Sequence, residues 1–206
     1  MEEQKEHLQT LSEIRSMMER SSRFISLSGL SGVFAGVFAL IGAGLAYMKI
    51  RSFEENYRVM DIRDVNETVV YLFVLAAIVL IASLSVGVFL TVRNSKKRGI
   101  RIWDSTAKRL LINLMIPLGT GGLFCLVLLY HGVIGLIGPA TLIFYGLSLI
   151  NASKYTLNDI RYLGICEIIL GLISSFYLGY GLLFWATGFG FLHIVYGAAM
   201  YFKYEK

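Results

Sequence analysis

Charge is scarce in this 206-residue sequence: Asp, Glu, Lys and Arg make up 16% of it, where a typical soluble domain carries about 25%. With 56% hydrophobic residues and a mean hydropathy of +0.65, that deficit excludes an ordinary soluble domain. Cysteine is nearly absent. Cys125 and Cys166 are the only two, both in apolar runs at different depths, which excludes a disulfide framework or a thiolate metal site and leaves them as packing residues. The three histidines create no metal-ligand spacing, and His131 lies too far from the level of His193 for the two to hold a haem. No nucleotide-binding loop and no nucleophile–base motif occurs. Catalytic residues, cofactors and metals are therefore not expected, and neither is an enzyme.

Long apolar runs are what the chain has in abundance. A run of about 20 residues with almost no charge is long enough to cross a bilayer as a helix. Six such runs are found, at about Phe24–Met48, Val69–Val92, Leu110–Tyr130, Gly132–Ile150, Tyr162–Tyr180 and Leu182–Phe202. The expected fold is all-α: a polytopic membrane protein of six transmembrane helices in three hairpins. Residues 1–23 form a separate polar N-terminal segment and 24–206 the membrane domain. That first segment lacks the short basic stub and apolar core of a cleavable signal peptide.

The net charge of +5 would suit nucleic acid, but its placement argues against that partner. Lys5, Arg15, Arg20 and Arg23 precede span one. Arg93, Lys96, Lys97, Arg98, Arg101, Lys108 and Arg109 follow span two, Lys154 and Arg161 follow span four, and Lys203 and Lys206 end the chain. Those fifteen share one side, against Lys49, Arg51, Arg58 and Arg63 on the other. The positive-inside bias puts both termini in the cytoplasm, and the expected location is the cell membrane. Tyr47, Tyr71, Tyr130, Tyr177, Tyr180 and Trp185 gather where the outer interface falls. The basic loop continues towards span three with Ile100, Trp103, Ala107 and Leu110 on one face; Lys108 and Arg109 can snorkel to headgroups, and anionic lipid explains the charge. Residues 5–20 carry Leu8, Leu11, Ile14 and Met18 at helical spacing. This amphipathic helix suits the membrane surface, another copy of the chain, or a cytoplasmic partner.

Small residues mark the packing faces. Ser28, Gly32 and Gly36 form one ridge on span one, beside Ser31, Ala35, Ala39 and Ala43. Spacing by three and four puts each set on one face, where small side chains let helices approach closely in lipid. Packing within the chain and homodimerisation both fit such a face. Span five has Gly164, Glu167, Gly171 and Ser174 in a stripe, and span six has Ala186, Gly190, His193 and Gly197.

Glu167 and His193 are the candidate intramembrane polar pair. An ionisable residue at membrane depth is costly and normally faces the bundle interior with a partner. Both lie thirteen residues from Tyr180 at the turn, about 20 Å along each helix at 1.5 Å per residue. Equal depth on adjacent antiparallel helices allows a direct contact, either a buried structural pair or a proton relay. Pro139 interrupts span four within Gly135–Pro139, and span three opens with Pro117, Gly119, Gly121 and Gly122; such breaks make kinks or substrate sites. Tyr145-Gly146 before Lys154-Tyr155, and Tyr196-Gly197 before Lys203-Tyr204, fit either a diverged repeat of hairpins two and three or chance recurrence.

Through Arg23–Gly32 (RFISLSGLSG) and Asp159–Glu167 (DIRYLGICE), the whole chain resembles a set of uncharacterised bacterial six-span membrane proteins, which implies no activity. The hairpin Leu163–Phe202, about a fifth of the chain, is similar to the two-helix repeat of HdeD-like acid-resistance membrane proteins, with Gly164, Gly171 and Gly197 where that repeat places glycine. This resemblance implies an envelope-stress role without a defined chemistry. The expected function is a non-enzymatic envelope-stress or accessory component in the lipid bilayer. The alternative is a small transporter or proton-coupled carrier using the Glu167–His193 pair.

Overall fold

A computed structural model of the protein describes residues 28–55, 62–97, 99 and 103–206. The amphipathic segment 5–20, with the partner contact expected of it, lies outside the described residues, as do residues 24–27 of the first expected span. Among the described residues the structure is all-helical. The long helices are α1 (Gly29–Glu55), α2 (Ile62–Lys97), α3 (Ser105–Tyr130), α4 (Ile137–Ala152), α5 (Asp159–Phe176) and α6. Helix α6 is one rod in three parts: α-helical Gly181–Trp185, π-helical Ala186–Leu192 and α-helical His193–Tyr204.

Among the described residues five stretches are long and apolar enough to cross a membrane: Gly29–Ser52, Asn66–Lys97, Ser105–Tyr130, Ile134–Tyr155 and Leu178–Tyr204. Helix α5 is not among them. It starts before the expected Tyr162 and ends at Phe176 rather than Tyr180, so Asp159 and Arg161 join Glu167 within its 18 residues. Several other helices also overrun their apolar runs, because Glu, Lys and Arg in the flanks are good helix formers. The multi-pass membrane character follows from these lengths and from the outer surface. On α2, Val70, Val74, Ile78, Ile81, Leu84 and Val88 are all more than half exposed, an apolar wall far larger than a water-soluble monomer presents.

Local chemistry sets the helix ends. The carboxylate of Asp104 accepts the Ala107 N–H at 2.7 Å and caps α3, so Trp103 precedes the helix instead of sharing its face. The α3–α4 turn needs Gly132, whose φ of +72° lies in the left-handed region that glycine adopts without a Cβ penalty. A 3₁₀ turn, Ile134–Leu136, then leads into α4. Pro139 falls in the first turn of α4, where its missing N–H would have no intrahelical partner anyway. It does not interrupt that helix. Pro117, expected at the opening of a span, lies well inside α3. The start of α1 is capped from the far end of the chain: the Glu205 carboxylate accepts the Ser28 hydroxyl at 3.1 Å and the Gly29 N–H, placing negative charge at a helix N-terminus, where the dipole favours it.

The helices assemble as two lobes. In one, α1 packs between α2 and α6; in the other, α4 packs between α3 and α5. The main contact in each lobe runs through glycine. A Cβ on Gly36 would sit 2.6 Å from the Gly190 carbonyl oxygen, and one on Gly197 would sit 2.7 Å from that of Gly29. In the second lobe a Cβ on Gly164 would lie 2.7 Å from the Gly146 carbonyl oxygen, and one on Gly171 would lie 2.9 Å from that of Pro139. The lobes meet where α6 runs past α4 and α5. Leu149, Leu157, Ile160, Leu163 and Met200 form the apolar core there.

Candidate functional site

The seam between the lobes holds the polar groups. Glu167 on α5 is fully buried and His193 on α6 nearly so. His193 Nδ1 lies 3.4 Å from Glu167 Oε1, within ion-pair range, yet neither carboxyl oxygen of Glu167 has a hydrogen-bond partner. The imidazole is committed elsewhere. Its Nδ1 is 3.0 Å from the Gly188 carbonyl oxygen, which can only accept, so Nδ1 carries the hydrogen. Its Nε2 is 2.8 Å from the Tyr145 hydroxyl, which donates to a neutral ring and accepts from a protonated one. The ring can therefore change charge without losing either neighbour.

The π-helical segment builds this arrangement. Such segments bulge the backbone and redirect side chains. Here the bulge brings Gly188 against the Glu167 carboxyl: a Cβ on Gly188 would collide with Glu167 Oε2 and lie 2.6 Å from Leu142 Cδ2. Phe189, in the same segment, stacks on His193 with ring centroids 5.8 Å apart and touches Tyr145 at 4.9 Å and Trp185 at 5.0 Å. Trp185 is thus turned partly into the aromatic cluster, whereas Tyr47, Tyr130, Tyr177 and Tyr180 stay exposed.

Polar contacts continue along the seam towards the ends of α4 and α6. Cys166 Sγ lies 3.7 Å from the Tyr196 hydroxyl. At the end, the Asp159 carboxylate accepts Lys203 Nζ at 3.0 Å and the Tyr204 hydroxyl at 2.6 Å. Partial burial by itself would raise the Asp159 carboxyl, but the bonds from Tyr204 and Lys203 outweigh it and hold the group below its ordinary value.

The residues expected to pack sort as follows. Gly32, Gly36, Gly190 and Gly197 form the α1–α6 contact, and Gly164 and Gly171 form the α5–α4 contact. Ser28 instead bonds Glu205 at the helix end. The small-residue face of α1 is covered from within the chain by α6, and its other side by α2, where a Cβ on Gly42 would sit 2.6 Å from Val79. Tyr145, Gly146 and Gly188 are parts of the site and its frame that sequence reasoning did not assign. The recurrence of Tyr145-Gly146 and Tyr196-Gly197 was the available signal. In both dipeptides the glycine packs on a neighbouring backbone and the tyrosine hydroxyl meets a seam residue.

Among the described residues no three His, Cys, Asp or Glu side chains converge as metal ligands would. Compared with protein-family models, curated proteins and solved structures, the chain finds no match in any of the three.

Proposed function

We propose that this chain is a six-span protein of the cell membrane with both termini in the cytoplasm, acting as a non-enzymatic envelope-stress or accessory component. The fifth crossing is α5. Three ionisable residues would be expensive in lipid, but Asp159 is tied to Lys203 and Tyr204 at the helix end. Arg161 stands in the same first turn, where it can snorkel to headgroups, and Glu167 faces the seam, so none of the three opposes a crossing. With the basic clusters on the side of Asp159 and Lys203, that side is cytoplasmic.

The observation that carries the accessory reading is the complete burial of Glu167. A proton-coupled carrier needs a polar passage reaching its central carboxylate from one side. Here Leu142, Gly188 and His193 close over it. The test has two parts. A reporter active only outside the membrane is expected to be silent at residue 206 and active when inserted near Asn56; activity at 206 would overturn the topology. Cells lacking the protein are expected to grow normally unstressed and to lose viability under acid or detergent challenge. Proton-coupled solute uptake by proteoliposomes, abolished in Glu167→Gln, would establish the carrier instead.

A further inference from the structure

Glu167 is an ionisable side chain with no exposed surface and no hydrogen bond to either oxygen, and it lies between two lobes that are each packed more closely than they are to one another. We propose that Glu167 and His193 together form a binding site for one proton, and that loss of this proton parts the seam between the lobes.

The argument is one of charge and reach. With one proton shared between them the pair is net neutral, as a carboxylic acid beside an imidazole or as a carboxylate beside an imidazolium. The Tyr145 hydroxyl serves both forms by rotating, and the Gly188 carbonyl holds Nδ1–H in both. Remove that proton to water and a bare, fully buried carboxylate remains with neither oxygen hydrogen-bonded. Burying an uncompensated charge is strongly unfavourable, and no other donor is in place. The titratable groups facing Glu167 are Tyr145 from α4 and His193 from α6. Cys166 is its neighbour in α5 and points to Tyr196, while Asp159, Lys203 and Tyr204 close the seam at its end. None of these supplies a fixed positive charge at Glu167. Water is the remaining source of donors, and it can enter only where packing is weakest. That is the seam, because the faces on either side of it are locked by glycine-to-backbone contacts within each lobe.

The proposal rests on the membrane reading above only for the dryness of the seam. Trp185 is a built-in reporter, since it touches the aromatic cluster through Phe189, and Trp103, the other of the two tryptophans, can be replaced by Phe. In the full-length Trp103→Phe protein in lipid nanodiscs, with pH scanned from about 5 to 9, Trp185 emission is expected to pass through one transition, with quenching by acrylamide rising on the alkaline side. Glu167→Gln, neutral at every pH, is expected to remove the transition and hold the protected state; Asp159→Asn is expected to keep it. A transition unchanged in Glu167→Gln, or none in the parent, overturns the proposal. Should Glu167→Gln fail to fold, infrared spectra of the parent decide: a protonated-carboxyl band or an imidazolium band must vanish over the same interval, and the persistence or absence of both overturns the assignment. Topology reporters that fail beside a titration that holds would overturn the six-span reading alone.

Discussion

At the scale of single residues, the chemistry turns on how His193 distributes its two nitrogens. A simple Glu–His bond would satisfy both partners. Instead the Gly188 carbonyl takes Nδ1–H, and Glu167 is left at 3.4 Å with nothing to accept from. Removing either member still exposes the other to a changed field, so their effects on stability should not add. Glu167→Gln and His193→Ala are each expected to shift detergent stability, with a coupling in the double mutant of about 0.5–3 kcal/mol. Chemical denaturation of the four proteins measures it. Additive effects within error would mean that 3.4 Å of separation carries no energy.

At the scale of elements, glycine acts in two distinct ways, and the contrast can be tested. Gly164 has its α-carbon against backbone: an added Cβ would meet the Gly146 carbonyl oxygen at 2.7 Å, and backbone cannot step aside as a flexible side chain can. Gly119, on α3, would meet nothing within 4 Å. Gly164→Ala is therefore expected to cost about 1–3 kcal/mol. Gly119→Ala is expected to be neutral or to gain up to about 1 kcal/mol from helix propensity. Thermal unfolding of the two variants separates the cases, and equal behaviour would refute the close α4–α5 contact. Within α6 the π-helical segment matters for a related reason. It combines Gly188, which makes room for the Glu167 carboxyl, with Gly190, which receives Leu40 of α1. One irregular turn thereby serves both lobes.

At the scale of the whole molecule, two lobes joined by a polar seam make stability sensitive to pH at the end that Asp159 closes. Asp159 is held below its ordinary value by Tyr204 and Lys203 despite partial burial. The sign follows from linkage: a carboxyl with a lowered folded-state pKa contributes stability above its unfolded value, about 3.9, and loses it as pH falls through the folded value. Asp159→Asn should lower the melting temperature slightly at neutral pH and leave it unchanged in strong acid. An equal deficit at both pH values would show that the contribution is packing rather than charge. The effect will be small, because Lys203 is largely exposed and water screens such pairs.

What the amino-acid sequence determines by itself is the class of molecule and the identity of its unusual residues. Apolar runs of bilayer length need no partner to be recognised, since lipid demands that every backbone group be satisfied within the helix. Glu167 and His193 stand out for the same reason, as costly groups in otherwise apolar runs. The small-residue ridges of α1 are legible too, because four-residue spacing is a property of one helix. What covers those ridges is not: α6 does so for Gly32 and Gly36, and that choice depends on how the hairpins pack. Tyr145 and Gly188 were hidden for the same reason, one being a tyrosine among twelve and the other a glycine among 21. Only tertiary structure brings α4 beside α6, bulges one turn of α6 into π geometry, and sets a carbonyl oxygen where a carboxylate would otherwise have found its donor.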